Sequence, residues 1–124
     1  MKKKILYVDD EEINLRMFKT SFRRDFEVFT ALSAEEGLKI LDDEHIDLVL
    51  TDQMMPHMTG VEFLERVNRK YPHIPPTRLI ISGYAKNEDI DKAYEEYRLF
   101  QFIAKPWKKD DLLTTINQAL NEGE

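Results

Sequence analysis

The chain has 124 residues, a formal net charge of -6 and no cysteine, with 42% hydrophobic and 34% charged residues. This length leaves room for one domain, so we expect a single domain over residues 1–124 with a core from about residue 4 to about residue 121. The composition excludes a disordered chain, and the negative charge argues against binding to nucleic acid. No apolar run approaches the ~20 residues that span a bilayer, and the absence of cysteine fits a cytoplasmic protein.

Five short apolar runs predict five β-strands. They are Ile5–Val8, Phe26–Thr30, Leu48–Thr51, Arg78–Ser82 and Phe100–Ala104. The first, third and fourth runs hold unbroken apolar stretches, as in strands covered on both faces, so we expect them at the centre of a sheet. The second and fifth runs are interrupted by Glu27 and Gln101, which predicts edge positions.

Segments in which apolar residues recur with helical spacing alternate with these strands. The residues that carry this spacing are Ile13, Met17, Phe18 and Phe22; Ala34, Leu38 and Leu41; Phe63, Leu64 and Val67; Ile90, Ala93, Tyr94 and Tyr97; and Leu112, Leu113, Ile116 and Leu120. Five alternations of strand and helix predict a parallel sheet with right-handed crossovers. The expected fold class is α/β, a doubly wound five-stranded parallel sheet of order 2-1-3-4-5.

Two of the predicted helices begin with the sequence of a capping box. Ser33 is followed three residues later by Glu36, and Thr59 is followed by Glu62. In such a box the hydroxyl and the carboxylate satisfy backbone N–H groups at the helix start. We therefore expect these two boundaries to be well defined.

Polar side chains stand at the carboxyl ends of four predicted strands. Asp9 and Asp10 follow the first strand, Asp52 follows the third, Ser82 ends the fourth and Lys105 follows the fifth. An Asp after a strand is commonly a turn or cap residue, so each signal alone is weak. In a doubly wound sheet, however, ligands bind at the carboxyl ends where the strand order reverses, here between the first and third strands. We expect these five side chains to form one site.

The chemistry of this set favours phosphoryl transfer. Carboxylates brought together repel one another and need protons or a cation, and an all-oxygen site with few protein ligands suits Mg²⁺. Lys105 and Ser82 can hold phosphoryl oxygens, although Lys105 can also simply neutralise the acids. Because phosphoryl transfer needs a nucleophile, a metal and fixed charges, we predict Asp52 as the nucleophile and Asp9 and Asp10 as metal ligands.

Four motifs carry a family resemblance. They are Val8-Asp9-Asp10-Glu11, the segment Thr51-Asp52-Gln53-Met54-Met55-Pro56-His57-Met58-Thr59-Gly60, Ile81-Ser82-Gly83, and Ala104-Lys105-Pro106. In this order and spacing they make the chain resemble the receiver domains of two-component response regulators, the CheY-like family, from Lys4 to about Leu120. The motifs together are highly specific.

The resemblance implies a phosphorylation-dependent switch. Asp52 would accept a phosphoryl group from a phosphohistidine on a sensor histidine kinase or phosphotransfer protein. Mg²⁺ would be bound by Asp10, Asp52 and the backbone carbonyl of Met54, with Asp9 reaching it mainly through water. The bulky Met54 side chain, two residues past the acceptor, is expected to slow hydrolysis of the acyl phosphate.

The resemblance also implies how the signal spreads. The Ser82 hydroxyl would turn toward the phosphoryl group, and Phe102 on the fifth strand would swing inward behind it. Plain core packing is the alternative role for Phe102. The face of the fourth helix, fifth strand and fifth helix would then change its preference for an output domain or protein partner. The Lys105–Pro106 bond is expected to be cis, as is usual in the family.

Two other functions agree less well with the sequence. A hydrolase or phosphatase with Asp52 as nucleophile usually needs a second Asp close after it as general acid, and Gln53 and Met54 supply none. We therefore expect a protein that catalyses only its own phosphorylation and dephosphorylation. A degenerate receiver that binds partners without phosphorylation is disfavoured because all five site residues are present.

Two further expectations concern the partners of the protein. Tyr94, Tyr97 and Leu99 can form a dimer or partner surface, or can pack against the core. The stretches Ser82-Gly83-Tyr84 and Lys105-Pro106-Trp107 look like those of receivers joined to cyclic-dinucleotide phosphodiesterase or transcription-activating domains.

Overall fold

The computed structural model describes residues 2–72, 78–83 and 87–122, so Tyr84 of the stretch Ser82-Gly83-Tyr84 lies outside the described residues. The five strands form one sheet in the order β2-β1-β3-β4-β5, with all four pairings parallel. Their bounds are β1 (Lys4–Val8), β2 (Glu27–Ala31), β3 (Leu48–Thr51), β4 (Arg78–Ser82) and β5 (Leu99–Ala104). The predicted fold class, strand order and edge strands are confirmed.

Five helices connect and follow the strands. They are α1 (Glu12–Phe22), α2 (Ala34–Asp43), α3 (Gly60–Lys70), α4 (Asn87–Glu96) and α5 (Lys109–Glu122). Successive side chains of a strand point to opposite faces, and this alternation divides the core in two. Ile5 and Tyr7 of β1 pack with α1 and α5 on one face, whereas Leu6 and Val8 pack with α2, α3 and α4 on the other. The sheet is therefore covered on both faces, as a doubly wound fold requires.

Strand boundaries differ slightly from the predicted ones. β2 begins at Glu27, one residue later than expected, because the N–H of Phe26 bonds to the carbonyl of Phe22 at 2.9 Å and closes the end of α1. β5 begins at Leu99, one residue earlier than expected. Leu99 is buried, so it packs in the core and does not belong to a partner surface, whereas Tyr94 is 42% exposed.

One of the two capping boxes forms fully. At α3 the Thr59 hydroxyl accepts from the Glu62 N–H and the Glu62 carboxylate accepts from the Thr59 N–H. At α2 the Ser33 hydroxyl accepts from the Glu36 N–H. The Glu36 carboxylate, however, accepts from the N–H of Leu32 at 2.7 Å instead of from that of Ser33. The predicted reciprocal box at α2 is thus wrong by one residue, although the helix start is right.

The buried residues of helix α1 are not all those that its apolar spacing predicts. Leu15, Phe18 and Phe22 are buried, whereas Ile13 and Met17 are 64% and 57% exposed. Within the described residues, no helix has the length and apolar character needed to cross a membrane.

Candidate functional site

The carboxyl ends of β1 and β3 bring three acidic residues together. Val8 and Thr51 are register partners, so the residues that follow them, Asp9 and Asp52, leave neighbouring strands at the same edge. The N–H of Asp52 continues the ladder to the carbonyl of Val8 at 2.8 Å. One carboxylate oxygen from each of Asp9, Asp10 and Asp52 lies within 4.8 Å of the others. The predicted acidic cluster is present at the switch point of the sheet.

Asp9 is fully buried and surrounded by donors. Its Oδ2 accepts hydrogen bonds from the Tyr7 hydroxyl at 2.6 Å, from Asn14 Nδ2 at 3.1 Å and from Lys105 Nζ at 3.2 Å. Its Oδ1 accepts from the N–H of Glu11 at 3.0 Å. A buried carboxylate needs this compensation, because its transfer from water is otherwise very costly.

Lys105 supplies the positive charge that the cluster requires. Its Nζ lies 3.2 Å from Asp9 Oδ2 and 3.6 Å from Asp52 Oδ2, so one ammonium group contacts both acids. The Lys105–Pro106 peptide bond is cis, as expected. The N–H of Lys105 donates to the carbonyl of Ser82 at 3.0 Å, which ties the ends of β4 and β5 together and sets the buried Ser82 at the same edge.

The backbone around Asp52 is held by the start of α3. Asp52 Oδ1 accepts from the N–H of Gln53 at 2.8 Å, and the buried Gln53 side chain accepts from the Val61 N–H at 2.9 Å. A Cβ on Gly60 would lie 2.3 Å from the Asp52 carbonyl oxygen, so only glycine allows this approach. The next residue in the loop, Met54, exposes 56% of its surface.

Phe102 lies on β5 and is linked to α4. Its side chain is partly buried and packs against the core cluster on the α2, α3 and α4 face. Its backbone N–H donates to the Tyr94 hydroxyl at 2.8 Å. The register pairs Phe102 with Ile80, two residues before Ser82 on β4. The structure therefore places Phe102 close to both β4 and α4.

Sequence reasoning missed three residues of the site: Tyr7, Asn14 and Gln53. Tyr7 stands in an apolar strand, which predicts a core residue, yet it precedes Asp9 by two positions, and residues i and i+2 of a strand share a face. Burial, followed by the hydrogen bond to Asp9, raises the pKa of the Tyr7 hydroxyl above its ordinary value. The hydroxyl is therefore protonated at neutral pH and can donate.

The acidic cluster offers only oxygen atoms of its side chains as ligands for a metal ion. Every side-chain atom contributed by the acidic cluster is a carboxylate oxygen, and Asp10 is exposed to solvent. Hard cations such as Mg²⁺ take oxygen ligands and keep several waters, which an open, all-oxygen site allows. The residues present fit such an ion.

Fold and site together define a class of doubly wound α/β protein. It has an acidic pocket at the switch point of the sheet, and a lysine that follows β5 offsets part of the negative charge. A family model described as "Response regulator receiver domain" matches residues 5–117. The chain belongs to this family, whose members are the receiver domains of two-component systems and act as signalling switches rather than as conventional enzymes.

Individual relatives agree with this assignment. The chain is similar to the hydrogenase transcriptional regulatory protein HoxA of Bradyrhizobium diazoefficiens, with 41% identity over 94% of this chain and 24% of that protein. It is similar to the CheY-like receiver domain protein of Methanospirillum hungatei, with a TM-score of 0.91 and 31% identity over 99% of this chain and 97% of that one. The chain spans about a quarter of the length of the curated relatives that match it first.

Proposed function

We propose that Asp52 accepts a phosphoryl group from a phosphohistidine on a sensor histidine kinase or phosphotransfer protein. The observation that carries the proposal is the position of Lys105 Nζ, within 3.6 Å of Asp52 and 3.2 Å of Asp9. A strand-end carboxylate beside other acids and one ammonium group is suited to phosphoryl transfer, which depends on positioning and electrostatics.

In the proposed reaction a carboxylate oxygen of Asp52 forms a bond to phosphorus while the bond from phosphorus to the donor imidazole nitrogen breaks. The electron pair of that bond returns to the imidazole ring, and an acyl phosphate remains on Asp52. Lys105 contacts the Asp52 carboxylate before transfer and is near enough to move to the phosphoryl oxygens. Ser82, buried at the end of β4, supplies a hydroxyl near the same edge.

The metal in this proposal is Mg²⁺, held by Asp10, Asp52 and the backbone carbonyl of Met54, with Asp9 acting mainly through water. When bound, Mg²⁺ neutralises charge on the acids and on the phosphoryl oxygens. The division between Asp9 and Asp10 is supported by their surroundings, because Asp9 is buried among four donors whereas Asp10 is exposed.

Phosphorylation would act on a two-state equilibrium through contacts made only with the phosphorylated form. Ser82 would turn toward the phosphoryl group and Phe102 would move inward. The bond from the Phe102 N–H to the Tyr94 hydroxyl supports this, because a shift of β5 at Phe102 must change its contact with α4. The face of α4, β5 and α5 would then change its preference for an output domain or partner.

The decisive experiment is incubation with a small phosphodonor and Mg²⁺, followed by intact mass measurement. We expect the wild type to gain one phosphoryl mass and Asp52→Asn to gain none. Asp42→Asn, at an exposed carboxylate on α2, is the matched control and should behave as the wild type. An unmodified wild type, when the same donor phosphorylates a known receiver, would overturn the proposal.

Met54 is proposed to set the lifetime of the acyl phosphate. Its exposed side chain follows the acceptor by two residues, where it can hinder the approach of water. Met54→Asn should therefore shorten the lifetime, measured by following the loss of the phosphoryl mass. An unaffected lifetime would argue against this role.

The remaining parts of the proposal concern the whole protein. We propose one receiver domain over residues 1–124, acting in the cytoplasm. We further propose that it acts on transcription, because the HoxA relative is named as a transcriptional regulatory protein. We also propose that phosphorylation drives formation of a homodimer, and sedimentation with and without a phosphate-mimicking ligand tests this. Identical mass in both states would exclude phosphorylation-driven dimerisation.

A further inference from the structure

Tyr7 is a buried residue of β1 whose hydroxyl reaches the acidic cluster. Its side chain is 1% exposed, and its hydroxyl donates to Asp9 Oδ2 at 2.6 Å. Of the four donors to the Asp9 carboxylate, this one makes the shortest contact, the others lying at 3.0 to 3.2 Å. Hydrogen bonds to a charged acceptor are short and strong, so this contact has a large influence on the orientation of Asp9.

The Tyr7 ring is itself fixed by aromatic packing. It lies 4.6 Å from the Phe18 ring, centroid to centroid, and Phe18 contacts both Phe22 and Trp107. The other side-chain donors to Asp9 are less confined, since Asn14 is half-buried and Lys105 is 25% exposed at the end of a flexible stem. A rigid donor on a central strand holds a carboxylate more firmly than flexible donors do.

The orientation of Asp9 matters for metal binding, because a small cation tolerates little deviation in the positions of the groups around it. Mg²⁺ demands near-ideal octahedral geometry, and hydrogen bonds behind the groups that surround a metal orient them for it. Asp9 is one of three carboxylates within 4.8 Å of one another, so its position sets the space and the charge available to the other two.

We propose that Tyr7 is a positioning residue for the metal site, which holds the Asp9 carboxylate in the orientation that Mg²⁺ binding requires. The role rests on the proposed function, because it assigns to Tyr7 a part in the Mg²⁺-dependent acceptance of a phosphoryl group. It acts through Asp9, and the hydroxyl need not touch either the metal or the phosphoryl group.

The test compares Tyr7→Phe with Tyr71→Phe in the whole chain. Tyr71 is a matched control, because its hydroxyl also donates to an aspartate, Asp42, on the surface between α2 and α3. Mg²⁺ alone is titrated by calorimetry and by Trp107 fluorescence. We expect the dissociation constant for Mg²⁺ to rise about tenfold in Tyr7→Phe and to stay at the wild-type value in Tyr71→Phe.

Kinetics with a small phosphodonor separate positioning from general damage. In Tyr7→Phe the Mg²⁺ concentration for half-maximal phosphorylation should rise by the same factor, while the rate at saturating Mg²⁺ stays close to that of the wild type. The reason is that bound Mg²⁺ itself fixes the carboxylates. A purely structural role would instead lower the maximal rate or affect both variants alike.

A measurement on the unmutated sequence covers the case in which Tyr7→Phe does not fold. With 3-fluorotyrosine incorporated, the fluorine resonance of Tyr7 should shift on addition of Mg²⁺, and that of Tyr71 should not. A static Tyr7 resonance, an unchanged Mg²⁺ affinity in folded Tyr7→Phe, or equal weakening in both variants overturns the inference. A wild type that binds Mg²⁺ but takes no phosphoryl group defeats the proposed function only, since the titrations still decide the role of Tyr7.

Discussion

Two clusters in this protein are built from the same three residue types, an aspartate that accepts from a tyrosine hydroxyl and pairs with a lysine. The sheet-end triad consists of Tyr7, Asp9 and Lys105. The surface triad, between α2 and α3, consists of Tyr71, Asp42 and Lys70. In both triads the lysine Nζ lies at a similar distance from the carboxylate, 3.2 Å from Asp9 and 3.3 Å from Asp42.

The triads differ in the burial of their aspartate and in the number of carboxylates beside it. The Asp9 side chain has no exposed surface and has Asp10 and Asp52 beside it, whereas the Asp42 side chain is 47% exposed. Water can replace a lost partner of Asp42 but cannot easily reach Asp9. Identical hydrogen bonds therefore create a candidate metal and phosphoryl site only where burial and neighbouring carboxylates coincide.

The largest expected difference between the triads is in Mg²⁺ binding when each aspartate loses its charge. Asp9→Asn removes one of three clustered carboxylates and should weaken Mg²⁺ binding about 100-fold, the upper range for groups that support a metal. Asp42→Asn should leave the affinity unchanged. Calorimetric titration of both variants measures the effect, and equal affinities would erase the functional distinction between the triads.

A smaller difference is expected in stability when each tyrosine loses its hydroxyl. Tyr7→Phe leaves a buried charge short of one donor and should lower the free energy of unfolding by about 2 kcal/mol. Tyr71→Phe should cost about 1 kcal/mol or less, because water reaches the exposed Asp42. Urea unfolding without Mg²⁺ gives both values, and a larger loss in Tyr71→Phe would contradict the ranking.

Removal of each lysine should lower the free energy of unfolding by less than the loss of the Tyr7 hydroxyl does. Lys105→Met leaves three carboxylates without their ammonium group, and we expect a loss of about 1 kcal/mol in the absence of Mg²⁺, since Lys105 is partly screened by solvent. Added Mg²⁺ should restore stability, because it supplies the missing positive charge. Lys70→Met should change the free energy of unfolding by about 0.3 kcal/mol. Thermal or urea unfolding with and without Mg²⁺ distinguishes the two cases.

The smallest effect concerns the pH dependence of the surface triad. The hydrogen bond from Tyr71, and then contact with Lys70, hold the pKa of Asp42 below its ordinary value, so its contribution to stability is lost as pH falls through that lowered pKa. Contacts with Tyr71 and Asp42 raise the pKa of Lys70, whose contribution is present below its unfolded pKa and lost as pH rises through the folded one. Carboxyl NMR should show the pKa of Asp42 rising in Tyr71→Phe, and an unmoved titration would remove Tyr71 as the main cause.

The sequence was sufficient to predict the fold and the grouping of most of the polar residues at the carboxyl end of the sheet. Strand and helix alternate clearly, and the edge strands carry Glu27 and Gln101, so patterning predicted the edge positions and the known doubly wound order 2-1-3-4-5 satisfied them. Asp9 and Asp52 come together because each directly follows a strand of a parallel sheet, whose carboxyl ends share one edge, and Asp10 is the next residue after Asp9. The roles of these residues in phosphoryl transfer stay predictions.

What the sequence could not supply was the set of partners made by tertiary packing. In an apolar strand Tyr7 can be a plain core residue or a hydrogen-bond donor. Only the structure distinguishes these roles, because it shows that the buried Asp9 accepts from the Tyr7 hydroxyl. Arg78 begins β4 and is fully buried, where it donates to Asn68 Oδ1 at 2.8 Å and to the Tyr97 carbonyl at 3.0 Å. The spacing of residues in the sequence does not reveal either partner of Arg78, because both contacts join different secondary-structure elements.

The contact between Asp9 and Lys105 joins residues 96 positions apart in the chain. At ordinary rates of protein synthesis, roughly 5 to 20 seconds pass between the addition of Asp9 and the addition of Lys105 to the growing chain. During that interval the acids of β1 and β3 are present without the ammonium group that offsets their repulsion. The contact is also among the longest-range in a parallel sheet, where loop closure slows folding. The growing chain therefore brings Lys105 to its acidic pocket only when β5 joins the sheet, after the acids that follow β1 and β3 have been synthesised.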